Sequence, residues 1–422
     1  MGYSPTVFTM ALGAALTSAC AVGPALPSVP WDMDALMRAP AWQETAAVKP
    51  LGEQSWGYAG NLSTPELRAE DAANGSVRAV FYDGPAYQGK GTRVFAWIGI
   101  PRHAAGQRLP GMVLVHGGGG TAYESWVRLW NARGYAAIAM DTVGNLPGLG
   151  RNPEGGPGNC GDFAETDRPV TDQWPYHAVS SVIRAHSLLR SLPEVDPGRT
   201  GVTGVSWGGF LTCIAAGLDH RFRCAIPVYG CGYLAESSAW IDRIREQGDR
   251  GSEWCRLWDP SVTLPAVRIP IYWLAGTNDA AYWMTALGRS YRLVEGRRSL
   301  SILGNMPHGH GGPGETPLEI GGIADHYLRN GPALPEFSQE ELDRGCLSAT
   351  YTYGRKTRGL VLHYTTAKDI TPAAEWFSLP VPGVAGKRVH CQLPPGTTMA
   401  FVNATTEEGL QFSSGILSVG AP

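Results

Sequence analysis

Ser206 stands in Gly204-Val205-Ser206-Trp207-Gly208, a G-x-S-x-G pattern between strand formers ("GVTGV") and an apolar run that reads as helix ("FLTCIAAGL"). A serine on so tight a strand-to-helix turn needs glycines beside it, because only they let the backbone and the new helix pass so close. Its hydroxyl would stand above the sheet at a helix N-terminus, where developing negative charge is favoured. The bland alternative is a serine in an ordinary turn, so the reading depends on partners. A hydroxyl is a weak nucleophile and requires a base, which in turn requires an orienting carboxylate. In a sheet of this kind the chain order is serine, acid, histidine. "IYWLAGTNDAAY" places Asp279 just past one strand, and "SLSILGNMPHGHG" places His308 and His310 just past the next. Asp259, Asp242 and Asp141 compete, but the first two fall in an insertion and Asp141 precedes the serine, so Asp279 is the expected acid. His308, about four residues beyond its strand, is the expected base, with His310 in reserve.

Acyl transfer also needs backbone N–H donors for the oxyanion. His116-Gly117-Gly118-Gly119-Gly120 ends a strand where the second donor belongs; Gly117 and Gly118 are both candidates, and the N–H of Trp207 supplies the first. A phosphate cradle is the competing reading, but the Lys-Ser/Thr of a P-loop is absent and no dinucleotide-binding context follows. The H-x-H pair invites a metal reading, yet the rest of a ligand set is missing and neither H-E-x-x-H nor a Cys-His cluster occurs, so no metal and no cofactor is expected. Trp207, Tyr229, Cys231 and Trp283 fall at the same strand ends and are candidate pocket residues, Trp207 equally a packing residue. His177 and His186 read as ordinary helix residues.

These side chains need a scaffold. "VRAVFYDG" and "RVFAWIGIP" read as a hairpin joined by "QGKG"; then short apolar strands alternate with helices through "GMVLVHGGGG", "YESWVRLWNARG", "YAAIAMDT", "HAVSSVIRAHSLLRSL", "GVTGVS", "CAIPVYG", "IYWLAG", "SLSILG" and "LEIGGIADHYL". That alternation implies a mostly parallel sheet covered on both faces, with reactive groups at the strands' C-terminal ends. Two insertions interrupt it, Leu146 to Asp172 and Tyr233 to Leu264; Trp240, Trp254 and Trp258 in the second suggest a bulky substrate group. Past Pro335 the alternating polar and apolar runs "LSATYTYG", "GLVLHYTT", "MAFVNATT" and "LQFSSGIL" predict a small antiparallel β unit, read as accessory packing. The expected organisation is a leader over 1–21, an extension over 22–75, an α/β catalytic domain over 76–332 and a sandwich-like β domain over 333–422.

The 422 residues are 43% hydrophobic with a net charge of −3, from 34 Lys and Arg against 37 Asp and Glu, and no basic stripe follows a phosphate backbone, so nucleic acid is not an expected partner. Residues 5–26 are apolar, short for a membrane span, and end in small residues around Ala19-Cys20-Ala21, which predicts export to the periplasm or medium, with a lipid-carrying Cys20 as a lesser alternative. Of eight cysteines, Cys346 and Cys391 could pair, and Cys213 reads as a buried thiol. Asn61, Asn74 and Asn403 match N-x-S/T, which matters only in a host that glycosylates.

The stretches "VLVHGGGGTAYESWVRLWNARGYAAIAMDT", "DQWPYHAVSSVIRAHSLLRSLPEVDP", "GVTGVSWGGFLTC" and "NMPHGHGGPGE" resemble the α/β-hydrolase superfamily, and within it the bacterial acetylxylan esterase-like, prolyl-oligopeptidase-like and dienelactone hydrolase-related group. The resemblance covers roughly residues 75–420. It implies an α/β-hydrolase fold with a C-terminal β domain, a triad of Ser206, Asp279 and His308, and exported de-esterification of an acylated plant-wall saccharide. The elbow differs from the G-x-S-Q-G of well-studied acetylxylan esterases at Trp207. The expectation is therefore a serine carboxylic-ester hydrolase of acetylxylan esterase type. Its rivals are a peptidase with the same triad, a feruloyl or aryl esterase, a non-catalytic carbohydrate-binding protein and a metal hydrolase.

Overall fold

A computed structural model describes residues 29–48, 74–148, 150–158, 160–352, 354–381 and 387–419. The apolar leader with Cys20, and most of the N-terminal extension with Asn61, lie outside the described residues.

Three antiparallel strands, β1 (Trp42–Glu44), β2 (Ser76–Tyr87) and β3 (Lys90–Ile100), open the sheet. The β2–β3 turn is tighter than expected: Gln88 and Gly89 alone make it, with φ of 50° and 74°, the left-handed pair that matches the twist of a two-residue hairpin. Then come β4 (Leu109–Val115), β5 (Ala136–Met140), β6 (Val195–Val205), β7 (Cys224–Val228), β8 (Ile271–Gly276) and β9 (Arg298–Leu303). These six run parallel in the order β5-β4-β6-β7-β8-β9. Every residue of β4, β5, β7 and β8 is buried, as strands covered on both faces must be, and their continuous apolar runs were the signal for it. The covering helices are α1 (Glu124–Ala132), α2 (Trp174–Ser191), α3 (Trp207–Leu218), α4 (Asp249–Trp258), α5 (Met284–Leu293) and α6 (Leu318–Arg329).

The C-terminal strands are β10 (Glu336–Asp343), β11 (Cys346–Thr352), β12 (Thr357–Thr365), β13 (Phe377–Pro380), β14 (Arg388–Gln392), β15 (Met399–Thr406), β16 (Gln411–Ser413) and β17 (Leu417–Ser418). β16 pairs antiparallel with β9 at Leu300 and Ser413, so β16, β15, β12 and β13 continue the central sheet outward. β10, β11 and β14 form a separate three-stranded sheet. Phe337, Leu347, Tyr351 and Val389 from this small sheet meet Leu360, Leu362 and Val402 from the continued one in a second core. The burial of β11 alternates residue by residue, the period of a strand with one face in a core. That period separates Cys346 from Cys391. Cys346 lies opposite Gln392 and Cys391 opposite Leu347, so the two sulfurs take opposite faces, and both cysteines are free thiols. Asn403, one of the N-x-S/T sites, is buried in the join, with Nδ2 donating to Ile302 O. No helix among the described residues is long and apolar enough to cross a membrane.

Candidate active site

β6 ends at Val205 and α3 begins at Trp207, leaving Ser206 alone in the turn with φ 60° and ψ −120°. That conformation costs an L residue about 1–3 kcal/mol and persists only where the surroundings impose it. Here Ser206 N donates to Val228 O of β7 at 2.9 Å, and Phe210 N donates to Ser206 O at 3.0 Å, tying the turn to the sheet and to the helix. The glycines answer to contact. A Cβ on Gly208 would lie 1.9 Å from Val115 O of β4, and one on Gly204 would lie 2.2 Å from Gly208 O.

β8 and β9 end beside this turn. Asp279, buried in the loop after β8, accepts from Ala281 N at 2.7 Å and Tyr282 N at 2.9 Å through Oδ1. Its two oxygens stand 3.0 and 3.1 Å from His308 Nδ1. With the carboxylate accepting from Nδ1–H, the Nε2 lone pair of His308 is left for another partner. His308 stacks on the Tyr229 ring, centroids 4.3 Å apart, and Tyr229 directly follows the residue that holds Ser206 N. Acid and histidine therefore pair at the edge of the parallel sheet where the serine turn also lies.

The second histidine has a different setting. His310 Nε2 accepts from Gly117 N at 2.9 Å, so its proton is on Nδ1, which faces Glu315 Oε1 at 2.9 Å. Its ring packs edge-on against Tyr123 and Trp126. This corrects the expectation that Gly117 is an oxyanion donor, since its N–H is turned to His310. Gly117 O accepts from His116 Nδ1 at 2.8 Å and from Gly120 N at 3.2 Å. A trans peptide sets its N–H opposite its C=O, so the N–H of Gly118 points away from those two donors. Of the two expected loop donors, Gly118 is the one whose N–H is not turned to His310. The ring of Trp207 covers it, for a Cβ on Gly118 would lie 2.5 Å from Trp207 Cδ1.

The proposed pocket residues divide. Trp207 is 6% exposed and its indole is enclosed by Phe163, Trp174, Phe210, Trp240 and Trp254, which makes it a packing residue of the elbow. Cys231 is fully buried and does not line a pocket. Tyr229 is buried as well, its hydroxyl donating to Pro307 O at 2.6 Å, and it serves as the platform under His308. Trp283 is half-buried at the N-cap of α5.

The two insertions close over the elbow together. Arg243 donates to Gly161 O at 3.0 Å and lies over Phe163, while Trp254 Nε1 donates to Glu165 Oε1 at 3.2 Å. Glu165 Oε2 takes Trp174 N at 2.8 Å, and Trp258 Nε1 donates to Gln173 at 2.6 Å. Trp254 and Trp258 are therefore interior, contrary to the expectation of a tryptophan-lined substrate face, and only Trp240 is half-exposed. Burial pushes the Glu165 carboxyl up to about 7.

The competing acids are structural. Asp259 is buried and caps a turn, accepting from Tyr233 N and Leu234 N. Asp141 is buried and accepts from Val143 N and Asn145 N, with its carboxyl raised by burial to about 7; Asp242 is exposed. His186, buried between Asp219 Oδ2 at 2.7 Å and Thr200 Oγ1 at 2.8 Å, packs the sheet, as its place on a helix suggested. Two groups at the site escaped the sequence reading. Glu315 follows His310 by only five residues, a spacing that was there to be noticed. His116 was seen only as the start of a glycine run, yet its Nε2 accepts from Thr142 N while Nδ1–H holds Gly117 O. Burial lowers its basicity to a pKa of about 3, so it is neutral.

A family model described as acetyl xylan esterase (AXE1) matches residues 62–242. Among solved structures, the acetyl xylan esterase from Paenibacillus sp. R4 superposes with a TM-score of 0.53 at 20% identity, over 70% of this chain and 92% of that one. Acetyl Xylan Esterase 1 from Thermoanaerobacterium sp. JW/SL YS485 does so at 0.50 and 16% identity, over 71% and 94%. A curated relative, the uncharacterized peptidase YuxL of Bacillus subtilis (strain 168), is 28% identical over 208 residues, 45% of this chain. The match spans 29% of that relative's length. The sheet order and these matches define the fold as that of the α/β-hydrolases. Over residues 62–242, less than half of its length, the chain is similar to the acetyl xylan esterase family.

Proposed function

We propose that the chain is a serine carboxylic-ester hydrolase in which Ser206 is the nucleophile, His308 the base and Asp279 its orienter. The observation that carries this reading is the His308–Asp279 pair on the sheet edge that also holds a serine at φ 60°. His308 Nε2 takes the hydroxyl proton as Ser206 Oγ attacks the ester carbonyl; the oxyanion accepts from the N–H groups of Trp207 and Gly118. Collapse expels the alcohol, which receives the proton from His308. Water, deprotonated by the same imidazole, then attacks the acyl-enzyme; the acyl–Oγ bond breaks, His308 returns the proton to Ser206 Oγ, and the carboxylic acid is released. The similarity to acetyl xylan esterases supports an acylated plant-wall saccharide as substrate, with export to the periplasm or medium, where such material is found. The β strands after residue 333 would then be an accessory domain.

A peptidase is the second reading, favoured by the relative described as a peptidase. The deciding experiment measures turnover of acetylated xylan, feruloyl esters, nitrophenyl acetate and amino-acyl anilides by the wild type and by Ser206→Ala. Ester turnover that vanishes in the variant sustains the proposal; anilide turnover in its place supports the peptidase, and ester turnover that survives refutes the mechanism.

A further inference from the structure

The structure holds two histidine–carboxylate pairs at one sheet edge, and the mechanism uses one. The other, His310 with Glu315, sits within the same loop, two residues past His308. Glu315 is buried and the Nδ1 of His310 meets its Oε1 at 2.9 Å. His310 Nε2 takes the N–H of Gly117, which is 193 residues distant in the chain. A Cβ built on Gly117 would touch Ser206 Cβ at 3.1 Å and His310 Nε2 at 3.4 Å, so imidazole, glycine and nucleophile are immediate neighbours.

We infer that His310 is a positioning residue for the oxyanion site, with Glu315 fixing its tautomer; this rests on the esterase reading of that site. A carboxylate accepts only, so Glu315 keeps the His310 proton on Nδ1 and leaves Nε2 as the acceptor that Gly117 N–H requires. Gly117 is then fixed at both ends, by His310 at its N–H and by His116 and Gly120 at its C=O. With both groups held, the next peptide cannot swing, and Gly118 N–H keeps one direction before any oxyanion forms. Preorganisation of this kind is where most oxyanion stabilisation resides. A glycine run with no such anchor would lose it, since glycine has the freest backbone.

The test uses the full chain and nitrophenyl acetate. His310→Phe keeps a ring against Tyr123 and Trp126 but removes the acceptor. The expected loss is about 10- to 1,000-fold in kcat with KM within about threefold, the signature of a contact used in the transition state. His310→Gln, whose side-chain oxygen can accept from Gly117 N–H, is expected to recover most of that loss. Thermal unfolding of each variant is recorded beside its kinetics, because a packing role alone would lower Tm and leave kcat intact. Nitrogen-15 NMR of histidine-labelled protein supplies a readout that does not need turnover: His310 should show a protonated Nδ1 and an unprotonated Nε2, and the Gly117 amide should shift in His310→Phe. Should the wild type hydrolyse no ester while that pattern holds, the esterase reading fails and the pairing stands. An unchanged kcat in a folded His310→Phe, a loss as complete as that of Ser206→Ala, or a protonated Nε2 would each overturn the inference.

Discussion

Asp279→Asn changes one oxygen to an amide nitrogen and almost no volume, so its consequence can be followed atom by atom. Oδ1 of Asp279 accepts two loop N–H groups, from Ala281 and Tyr282, and lies 3.0 Å from His308 Nδ1, while Oδ2 is 3.1 Å from that nitrogen. Asparagine has one carbonyl oxygen, and the two loop donors demand it at the Oδ1 position. Its NH₂ then faces His308, where a donor cannot meet Nδ1–H. The imidazole responds by moving its proton to Nε2, the nitrogen that must receive the proton of Ser206. A wrong tautomer of this kind lowers kcat by about 10⁴ in serine hydrolases, which is about 5.5 kcal/mol of transition-state stabilisation at about 1.4 kcal/mol per decade. Because the loop hydrogen bonds survive, Tm should change by only a few degrees. The assay is kcat for nitrophenyl acetate near pH 8, with circular dichroism and thermal unfolding on the same sample. A folded Asp279→Asn within tenfold of the wild-type kcat would show that Asp279 does not set the tautomer of the working base.

Gly118→Ala places a methyl 2.5 Å from Trp207 Cδ1 and 3.3 Å from Cys160 Sγ, so the loop or the indole must shift; steady-state kinetics should show kcat down at least tenfold with secondary structure intact, and undiminished turnover would remove Gly118 from the oxyanion site. Gly208→Ala puts its methyl 1.9 Å from the carbonyl oxygen of Val115, a backbone atom in the middle of the sheet; soluble expression should be lost, and a stable, active variant would refute the packing argument. Glu165 concerns pH. Its carboxyl is held at about 7 against an ordinary 4.5, so the folded state binds this proton more tightly than the unfolded chain. Its contribution is complete below about pH 4.5 and is lost as the pH rises through 7. Glu165→Gln should flatten the urea stability curve between pH 5 and 8, by roughly 3 kcal/mol at most; parallel curves for the two proteins would sink this account.

The scaffold was legible because its strands are short apolar runs bounded by glycine and helix, and a run buried on both faces has no polar residue to confuse its period. The pairing of Asp279 with His308 was legible for the same reason, each lying just past the end of such a strand. What escaped was the direction of individual donors. Gly117 and Gly118 are indistinguishable by type and spacing, and the imidazole across the fold at His310 takes the N–H of Gly117. The tryptophans misled for a local reason that the sequence did contain. Trp254, Leu257 and Trp258 fall at i, i+3 and i+4 on one short helix, the spacing of a buried face, and all three are buried.

The three imidazoles around the glycine loop follow one rule. His116, His308 and His310 each have Nδ1 against an acceptor, a backbone carbonyl in the first case and a carboxylate in the other two. That leaves each Nε2 as an acceptor, filled by Thr142 N–H for His116 and by Gly117 N–H for His310. His308 Nε2 is the one that the proposed mechanism assigns to the hydroxyl proton. Two of the rings thus spend their lone pairs on backbone amides, and the proposed mechanism assigns the third to accept a proton. His308 and His310, two residues apart, differ in the carboxylate that each Nδ1 meets, and the Nε2 of His310 is taken by an amide of the glycine loop.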